Sequence, residues 1–511
     1  MNYKLLGKIL GKIMIMEGIL MILPLIISFI YKEPIQNKLA FVLPIALLLL
    51  LGGLMQIPKP ERTSLYQKEG FVAVGLVWII MTLFGAIPFV VNGDIPNYID
   101  ACFEVMSGFS TTGASIINDV CALAFSSLFW RTFSHWIGGM GILVFVLIFI
   151  PESNDGSSMH LLRAESPGPK VGKIASKMKV TARILYLIYF CLTVAEFLIL
   201  ICDKNMLPEP YANNRFFYAM LTAFGSAGTG GFGFVPNSLE LFSPFSQYIV
   251  AIFLIIFGCN FALYYLILLG KIKDVFRSEE FRAYGLILLS AISIVFISLI
   301  ATSTYNSPEE SFRHSLFQIA SIITTTGYST TNFNMWPEVA KMVLMILMFI
   351  GAMAGSTAGG IKLSRVVMAI KGSYVNVRKL INPRYVPKAK FEGKSLEEKT
   401  TNGVFAFITM YLFVLILCTL VLSFDPINGT QVVIQTDLGT ETVTHGFASN
   451  FSASLSCISN IGPGFEAVGP YSSFAGYSYF SKLVLTFVML LGRLEILPIL
   501  ILFTPRTWKK I

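Results

Sequence analysis

Residues 324–333 read TTTGYSTTNF, a small, hydroxylated strip centred on Gly327. Long apolar runs flank it, YGLILLSAISIVFISLIA ending at Ala301 and VLMILMFIGAM beginning at Val343. Irregular polar backbone at membrane depth survives only where it is buried in protein or lines a watery cavity. The fold therefore depends on whether the strip occurs once or recurs.

It recurs. SGFSTTGAS surrounds Gly113, GSAGTGGFG surrounds Gly231 and SCISNIGPG surrounds Gly462. With the four glycines aligned, Tyr98, Phe216, Phe312 and Phe447 fall fifteen positions earlier, all aromatic. Ser107, Gly225, Ser321 and Ser456 fall six earlier, all small, and Thr111, Thr229, Thr325 and Asn460 two earlier, all polar. Agreement at three offsets marks an internal repeat. Each copy reads span, short amphipathic segment, glycine strip, span. The short segments (YIDACFEVMSGF, FFYAMLTAFGSA, FRHSLFQIASII, HGFASNFSASLSCI) run to about 12 residues, or ~18 Å of helix, too short for a ~30 Å hydrocarbon core. They are expected to enter the membrane from outside and return.

Composition agrees. The chain has 511 residues, 55% hydrophobic and 13% charged, with mean hydropathy +0.70. Ten apolar runs of spanning length fall at about 13–31, 39–57, 71–91, 129–150, 183–202, 246–269, 284–302, 339–361, 403–423 and 480–503. A soluble enzyme with buried helices is excluded, because too little polar sequence remains to cover that apolar surface. The basic-then-apolar N-terminus has a long apolar part without a small-x-small cleavage site, and is expected to be a retained helix. The predicted fold is an all-α integral membrane protein: four tandem helix–re-entrant helix–helix repeats around one pseudo-fourfold pore, plus two N-terminal helices. The expected division is 1–66 for the extension, then 67–178, 179–279, 280–399 and 400–511 for the repeats.

Charge orients the chain. Lys59, Arg62 and Lys68, then Arg163, Lys170, Lys173, Lys177 and Lys179, then Lys271, Lys273, Arg277 and Arg282 crowd alternate loops; 362–399 holds ten Lys/Arg against three acids, and the tail carries Arg506, Lys509 and Lys510. Segments 92–130 and 423–481 contain no Lys or Arg; the first carries Asp94, Asp100, Glu104 and Asp119, the second Asp425, Asp437, Glu441 and Glu466. Basic loops stay cytoplasmic, so both termini are expected inside and the acidic loops outside, where they would gather cations. The net charge of +9 needs no nucleic acid. The seven cysteines show no metal-ligand spacing; most are expected to be apolar fillers, with an outer-face bridge between Cys102 and Cys121 left open.

Four strips meeting on one axis can replace a cation's hydration with carbonyl oxygens. Glycine allows the φ/ψ values that aim successive carbonyls inward, and half-helix C-terminal ends point partial negative charge at the same place. The candidate ion-binding residues are Thr111, Thr112, Gly113, Thr229, Gly230, Gly231, Thr325, Thr326, Gly327, Asn460, Ile461 and Gly462. The hydroxyls of Thr111, Thr229 and Thr325 either add ligands or brace the strip.

These repeats, with RTFSHWIGGMGILVF (131–145), GAMAGSTAGGIK (351–362) and GRLEILPILILFTPRTW (492–508), resemble the Trk/Ktr/HKT superfamily of potassium transporters, in its bacterial TrkH branch. The resemblance covers essentially the whole chain. It implies K+ uptake across the bacterial inner membrane through a single-chain pseudo-tetrameric pore, a homodimer, and control by a cytosolic nucleotide-binding Trk A-type ring. No organic cofactor is expected. It also implies that glycine at all four filter positions accompanies K+ preference, whereas serine at the first accompanies Na+. The fourth strip, Asn460-Ile461-Gly462-Pro463, departs from the Thr-Thr-Gly pattern and leaves the strictness of selectivity open.

Two features suggest a gate. Gly351, Gly355, Gly359 and Gly360, with Ser356 and Thr357, interrupt what should be one span, at a cost of up to ~1 kcal/mol per glycine in a helix. Close helix packing by small residues is the other reading; the resemblance implies an intramembrane loop beneath the filter. Lys362 closes the stretch, which lacks the Gly-Lys-Ser/Thr order of a phosphate-binding loop. Arg493 lies within an apolar run, where a charge costs roughly 2.5–3.5 kcal/mol and faces a cavity or a partner. Its bland partner is Glu495, although i,i+2 residues do not share a helix face; the resemblance puts its guanidinium in the permeation path. Glu104 is expected to tune the outer vestibule, Glu17 and Glu196 to face neighbouring helices, and His135 to pack.

An intramembrane hydrolase is the rival enzyme class, but no Ser/His or paired-carboxylate motif has the required spacing. A secondary transporter coupled to H+ or Na+ is the closer rival. Such proteins usually carry inverted repeats in pairs, whereas these four copies share one orientation. Segment 429–446 alternates apolar and polar residues around Leu438-Gly439, predicting a short outer hairpin.

Overall fold

The computed structural model describes residues 2–59, 67–141, 178–235, 237–382, 388–436, 439–496, 499 and 501–505. Sequence readings that rest on Arg62, Arg163, Lys170, Lys173, Lys177, Arg384, Asp437, Arg506, Lys509, Lys510 and most of GILVF (141–145) lie outside the described residues.

The chain opens with helices α1 (Tyr3–Leu20), α2 (Ile22–Ile30) and α3 (Ile35–Leu54). α1 and α3 cross at glycines: a Cβ on Gly11 would lie 2.8 Å from the carbonyl oxygen of Gly52, the close backbone approach small residues permit in lipid. Glu17 is fully buried on α1.

Four units of one element order follow. The first has α4 (Gln67–Gly85) and α5 (Ile87–Val91), the short α6 (Tyr98–Phe109), a strip, and α7 (Phe125–Gly139). The second has α8 (Met178–Cys202), α9 (Arg215–Gly228), a strip, then α10 (Pro244–Phe257) and α11 (Phe261–Leu268). After the small α12 (Ile272–Arg277) come α13 (Glu279–Ala301), α14 (Pro308–Ile323), a strip, α15 (Glu338–Phe349), a loop and α16 (Leu363–Ile381). The fourth has α17 (Glu398–Leu422), α18 (Phe447–Ser459), a strip and α19 (Tyr479–Arg493). The short helices have 12, 14, 16 and 13 residues, all short of the roughly 20 that a crossing needs. Glu196 is fully buried on α8, where neighbouring helices surround it.

Ten apolar runs of spanning length were expected, the one at 339–361 interrupted by glycines; those at 129–150 and 480–503 lie partly outside the described residues. Among the described residues six helices are long and apolar enough to cross a membrane: 3–30, 35–54, 69–91, 180–202, 279–301 and 398–422. The second span of a unit tends to break. α10 and α11 meet at 91°, because Asn260 turns its side chain to accept from the Ala262 N–H at 2.9 Å and so starts a new helix. α15 stops at Phe349 and α19 at Arg493.

The expected hairpin is present: β3 (Gln431–Thr436) pairs antiparallel with β4 (Gly439–Thr444) after a two-residue β1–β2 ribbon at 390–395. Residues 437–438 of its turn lie outside the described residues. Cys102 and Cys121 are both free.

Candidate ion-conduction pathway

Each short helix ends in the same device. Thr111, Thr229, Thr325 and Asn460 take left-handed backbone, with φ of 57°, 53°, 55° and 56°. Their N–H groups donate to Gly108, Ser226, Ile322 and Cys457, at 3.1, 3.0, 3.0 and 3.4 Å. The next N–H in each strip reaches back to the small residue six before the glycine. Thr112 donates to Ser107, Gly230 to Gly225, Thr326 to Ser321 and Ile461 to Ser456, at 2.9, 2.9, 2.8 and 3.0 Å. This paired pattern is the Schellman helix stop, and it explains why polar residues recur at the second offset and small ones at the sixth. Threonine at positive φ is strained, and three of the four strips accept that strain.

The strips then converge. A Cβ on Gly113 would overlap the carbonyl of Gly230, one on Gly231 the carbonyl of Thr326, and one on Gly327 the carbonyl of Ile461. On Gly462 it would lie 2.8 Å from the carbonyl oxygen of Thr112. The contacts run first to second, second to third, third to fourth and fourth to first, a closed ring in chain order. All four glycines have positive φ, from 71° to 105°. All four also line one cavity of about 660 Å³, with Asp119, Arg131, His445 and the hairpin residues Val432 and Ile434 on its outer walls. The hairpin thus forms part of the cavity wall.

Outside the ring the segments are laced in the same cyclic sense. The Arg131 guanidinium donates to the Gly233 carbonyl at 3.0 Å, and the Leu239 N–H to the Ser329 carbonyl at 2.9 Å. The Asn334 amide exchanges two bonds with the Glu466 backbone, at 3.0 and 3.1 Å. The Phe474 N–H closes the circle on the Ser115 carbonyl at 2.8 Å.

The threonine hydroxyls brace the strips. Thr229 donates to the Gly228 carbonyl at 2.7 Å, Thr325 accepts the Gly359 N–H at 2.6 Å, and Thr111 accepts from Arg493 at 3.2 Å. In the fourth strip the Asn460 amide donates to the Thr112 hydroxyl and the Met489 carbonyl, both at 2.9 Å. The departure from Thr-Thr-Gly there ties the last strip to the first.

Residues 350–362 form no helix. Gly351 N–H donates to Ile361 at 2.9 Å and Leu363 N–H to Ala352 at 3.1 Å, closing a loop that includes Gly355, Ser356, Thr357, Gly359 and Gly360. Two of its glycines need left-handed backbone, Gly355 at φ 77° and Gly360 at φ 66°. A Cβ on Gly359 would lie 3.0 Å from the Asn460 Cβ, so the loop presses against the stops of the third and fourth short helices. Lys362 is buried and donates to the Ala358 carbonyl, folding back on the loop. Glu280, which the sequence did not single out, holds the loop's base by accepting from Ala354 and Ser364 at 2.7 and 3.1 Å.

Arg493 joins these parts. Besides Thr111, it donates to the carbonyls of Thr357 at 3.0 Å and Gly139 at 2.8 Å, and to that of Gly138. It is not paired with Glu495, which bonds Arg365 instead. Helix geometry is the reason: α19 ends at Arg493, and Glu495 and Ile496 take positive φ, turning the carboxylate towards α16.

Glu104, expected to tune the outer vestibule, does not line the cavity. It is fully buried and paired with Arg131, Nε to Oε1 at 2.8 Å, and accepts from Ser115 and Ile116 at 3.0 and 2.9 Å. A carboxylate removed from water needs such partners, and Arg131, unnoticed in the sequence, supplies them. His135 packs, as expected: it is fully buried with Nδ1 2.8 Å from the Gly108 carbonyl oxygen.

Comparison with known proteins identifies the family. The family model for TrkH, described as a cation transport protein, matches residues 37–510. The chain is 32% identical over 516 residues to the Trk system potassium uptake protein TrkH of Salmonella typhimurium, covering all of both chains. It is also 31% identical over 516 residues to TrkH of Halomonas elongata, again over all of both. Among solved structures, the potassium transporter TrkH from Vibrio parahaemolyticus matches with a TM-score of 0.84 at 29% identity, covering 100% of each chain. The chain belongs to the TrkH family of cation transport proteins, and it is a multi-pass membrane protein.

Proposed function

We propose that this TrkH-family protein takes up K+ across the bacterial inner membrane through the ring of four glycine strips. The observation that carries the reading is the cyclic contact of Gly113, Gly231, Gly327 and Gly462 with the backbone of the neighbouring strip. Carbonyls held in such a ring exchange for the water of a partly dehydrated cation, and four helix C-terminal ends add partial negative charge at the same level. The relatives that match along the whole chain are named potassium uptake proteins.

Below the ring, loop 350–362 and Arg493 act as the gate. A guanidinium ~5 Å from the ion path, at an effective dielectric of ~20, opposes a passing cation by about 3 kcal/mol. Both termini face the cytoplasm by the placement of basic loops. A cytosolic nucleotide-binding ring moves the gate from that side, and two copies of the chain assemble in the bilayer. Proteoliposomes loaded for K+, Rb+ and Na+ flux, with and without the cytosolic ring, test the reading. Flux in the order K+ and Rb+ well above Na+, raised by the ring, is expected. Uptake of K+ against its gradient, driven by an imposed H+ or Na+ gradient, would instead make the protein a symporter.

A further inference from the structure

Three strips carry a side chain immediately before their glycine: Thr112, Thr326 and Ile461. The second has Gly230, although its φ lies outside the left-handed region and its backbone would accept any L residue. The obstacle is a neighbour. A Cβ on Gly230 would overlap the imidazole of His135, and one on Gly228 would lie 3.0 Å from the His135 Cβ. The ring centroid sits 4.3 Å from that of Phe232, the residue after Gly231. One turn earlier on α7, Arg131 lies 4.1 Å over the same Phe232 ring and donates to the Gly233 carbonyl at 3.0 Å. Residues i and i+4 share a helix face, so one face of the first unit's α7 grips the second unit's strip from 228 to 233.

We propose that His135 is the positioning residue of the second strip, supplying in trans the side chain that Gly230 lacks and thereby setting discrimination between K+ and Na+. The proposal rests on the strips acting as the selectivity filter. Strip GTGGFG has the most glycine of the four, hence the most backbone freedom to lose. Carbonyls that select by spacing or field strength need that freedom removed. His135 removes it by filling the space behind Gly230 while its Nδ1–H is anchored to the carbonyl of Gly108, three residues before the first strip's left-handed residue, Thr111.

The experiment is K+ and Na+ flux in proteoliposomes for wild type, His135→Ala, Gly230→Thr and the double variant. His135→Ala is expected to lower the K+/Na+ ratio about tenfold or more, as a segment beside a new cavity loosens. Gly230→Thr alone is expected to lose flux, because its side chain meets the ring. The double variant, with a threonine where the first and third strips have one, is expected to regain most of the wild-type ratio, which a merely structural loss would not. Should His135→Ala not be recovered as a monodisperse protein, His135→Asn keeps the bond to Gly108 but removes the ring, and the same fall is expected. An unchanged ratio in His135→Ala or His135→Asn, wild-type behaviour of Gly230→Thr, or no recovery in the double variant would overturn the role of His135. A wild-type protein that passes Na+ as well as K+ would overturn the assigned function itself.

Discussion

The Oγ1 of Thr325 accepts a 2.6 Å hydrogen bond from the backbone N–H of Gly359. A strained left-handed residue of the third strip is thereby fastened to the loop that lies beneath it. Movement of the loop must break that bond or drag the strip with it, so ring and loop are mechanically joined at this point.

Thr325→Val keeps the branched shape and removes the acceptor. A buried amide left unsatisfied costs about 1–3 kcal/mol. Amide exchange at 351–361 is expected to speed up roughly tenfold or more, since about 1.4 kcal/mol is a factor of ten. Hydrogen exchange with mass detection checks this; unaltered protection at Gly359 would mean the loop is anchored elsewhere.

Arg493→Ala removes the donor shared by the carbonyls of Thr357 and Gly139 and the Thr111 hydroxyl. Basal Rb+ flux without a cytosolic partner is expected to rise, by at most roughly a hundredfold for a barrier of about 3 kcal/mol. Unchanged flux in well-folded protein would end the gating role proposed for Arg493.

Alanine at the four glycines should not be equally damaging. At Gly113, Gly231 and Gly327 the new methyl overlaps a neighbouring carbonyl, whereas at Gly462 the nearest atom is 2.8 Å away. Gly462→Ala is therefore expected to retain the most K+ flux of the series, with the strain of positive φ still lowering it. Equal loss at all four would contradict the ring as drawn.

Glu104→Gln leaves the Arg131 guanidinium buried without its counter-charge, a loss of about 3–5 kcal/mol for a broken buried pair. Thermal unfolding in detergent should show a clear drop in midpoint. Adding Arg131→Gln should restore part of it, because two neutral amides are cheaper to bury than one lone cation.

Asp425, in the segment after α17, gives a pH dependence. Burial pushes its carboxyl up, but hydrogen bonds from Ser478 and Ser481 and from the Ile427 and Ser478 amides outweigh it, and the net shift is downward. A depressed folded value contributes stability above the ordinary carboxylate range, and that contribution disappears as pH falls through the folded value. Asp425→Asn should thus be less stable than wild type at neutral pH, with the gap closing below about pH 4. A gap independent of pH would rule out the ionised form as its source.

Much of this molecule is readable along the chain because membrane insertion and helix termination are local events. Apolar runs of spanning length, the half-helices too short to cross and the four in-register glycines all follow from neighbours within about fifteen residues. So does the hairpin at 431–444, from its alternation. The offsets of two and six even encode the helix stop, though their meaning emerged only with its hydrogen bonds. What the tertiary structure alone decided is which distant groups meet. Glu104 is neutralised by Arg131, Glu495 belongs to Arg365 rather than Arg493, and Glu280 supports a loop more than 70 residues away. Gly230 is bare because His135 stands beside it. Such choices turn on whether a charge or a void finds its complement across the packed interior, and nothing in the local sequence carries that distance.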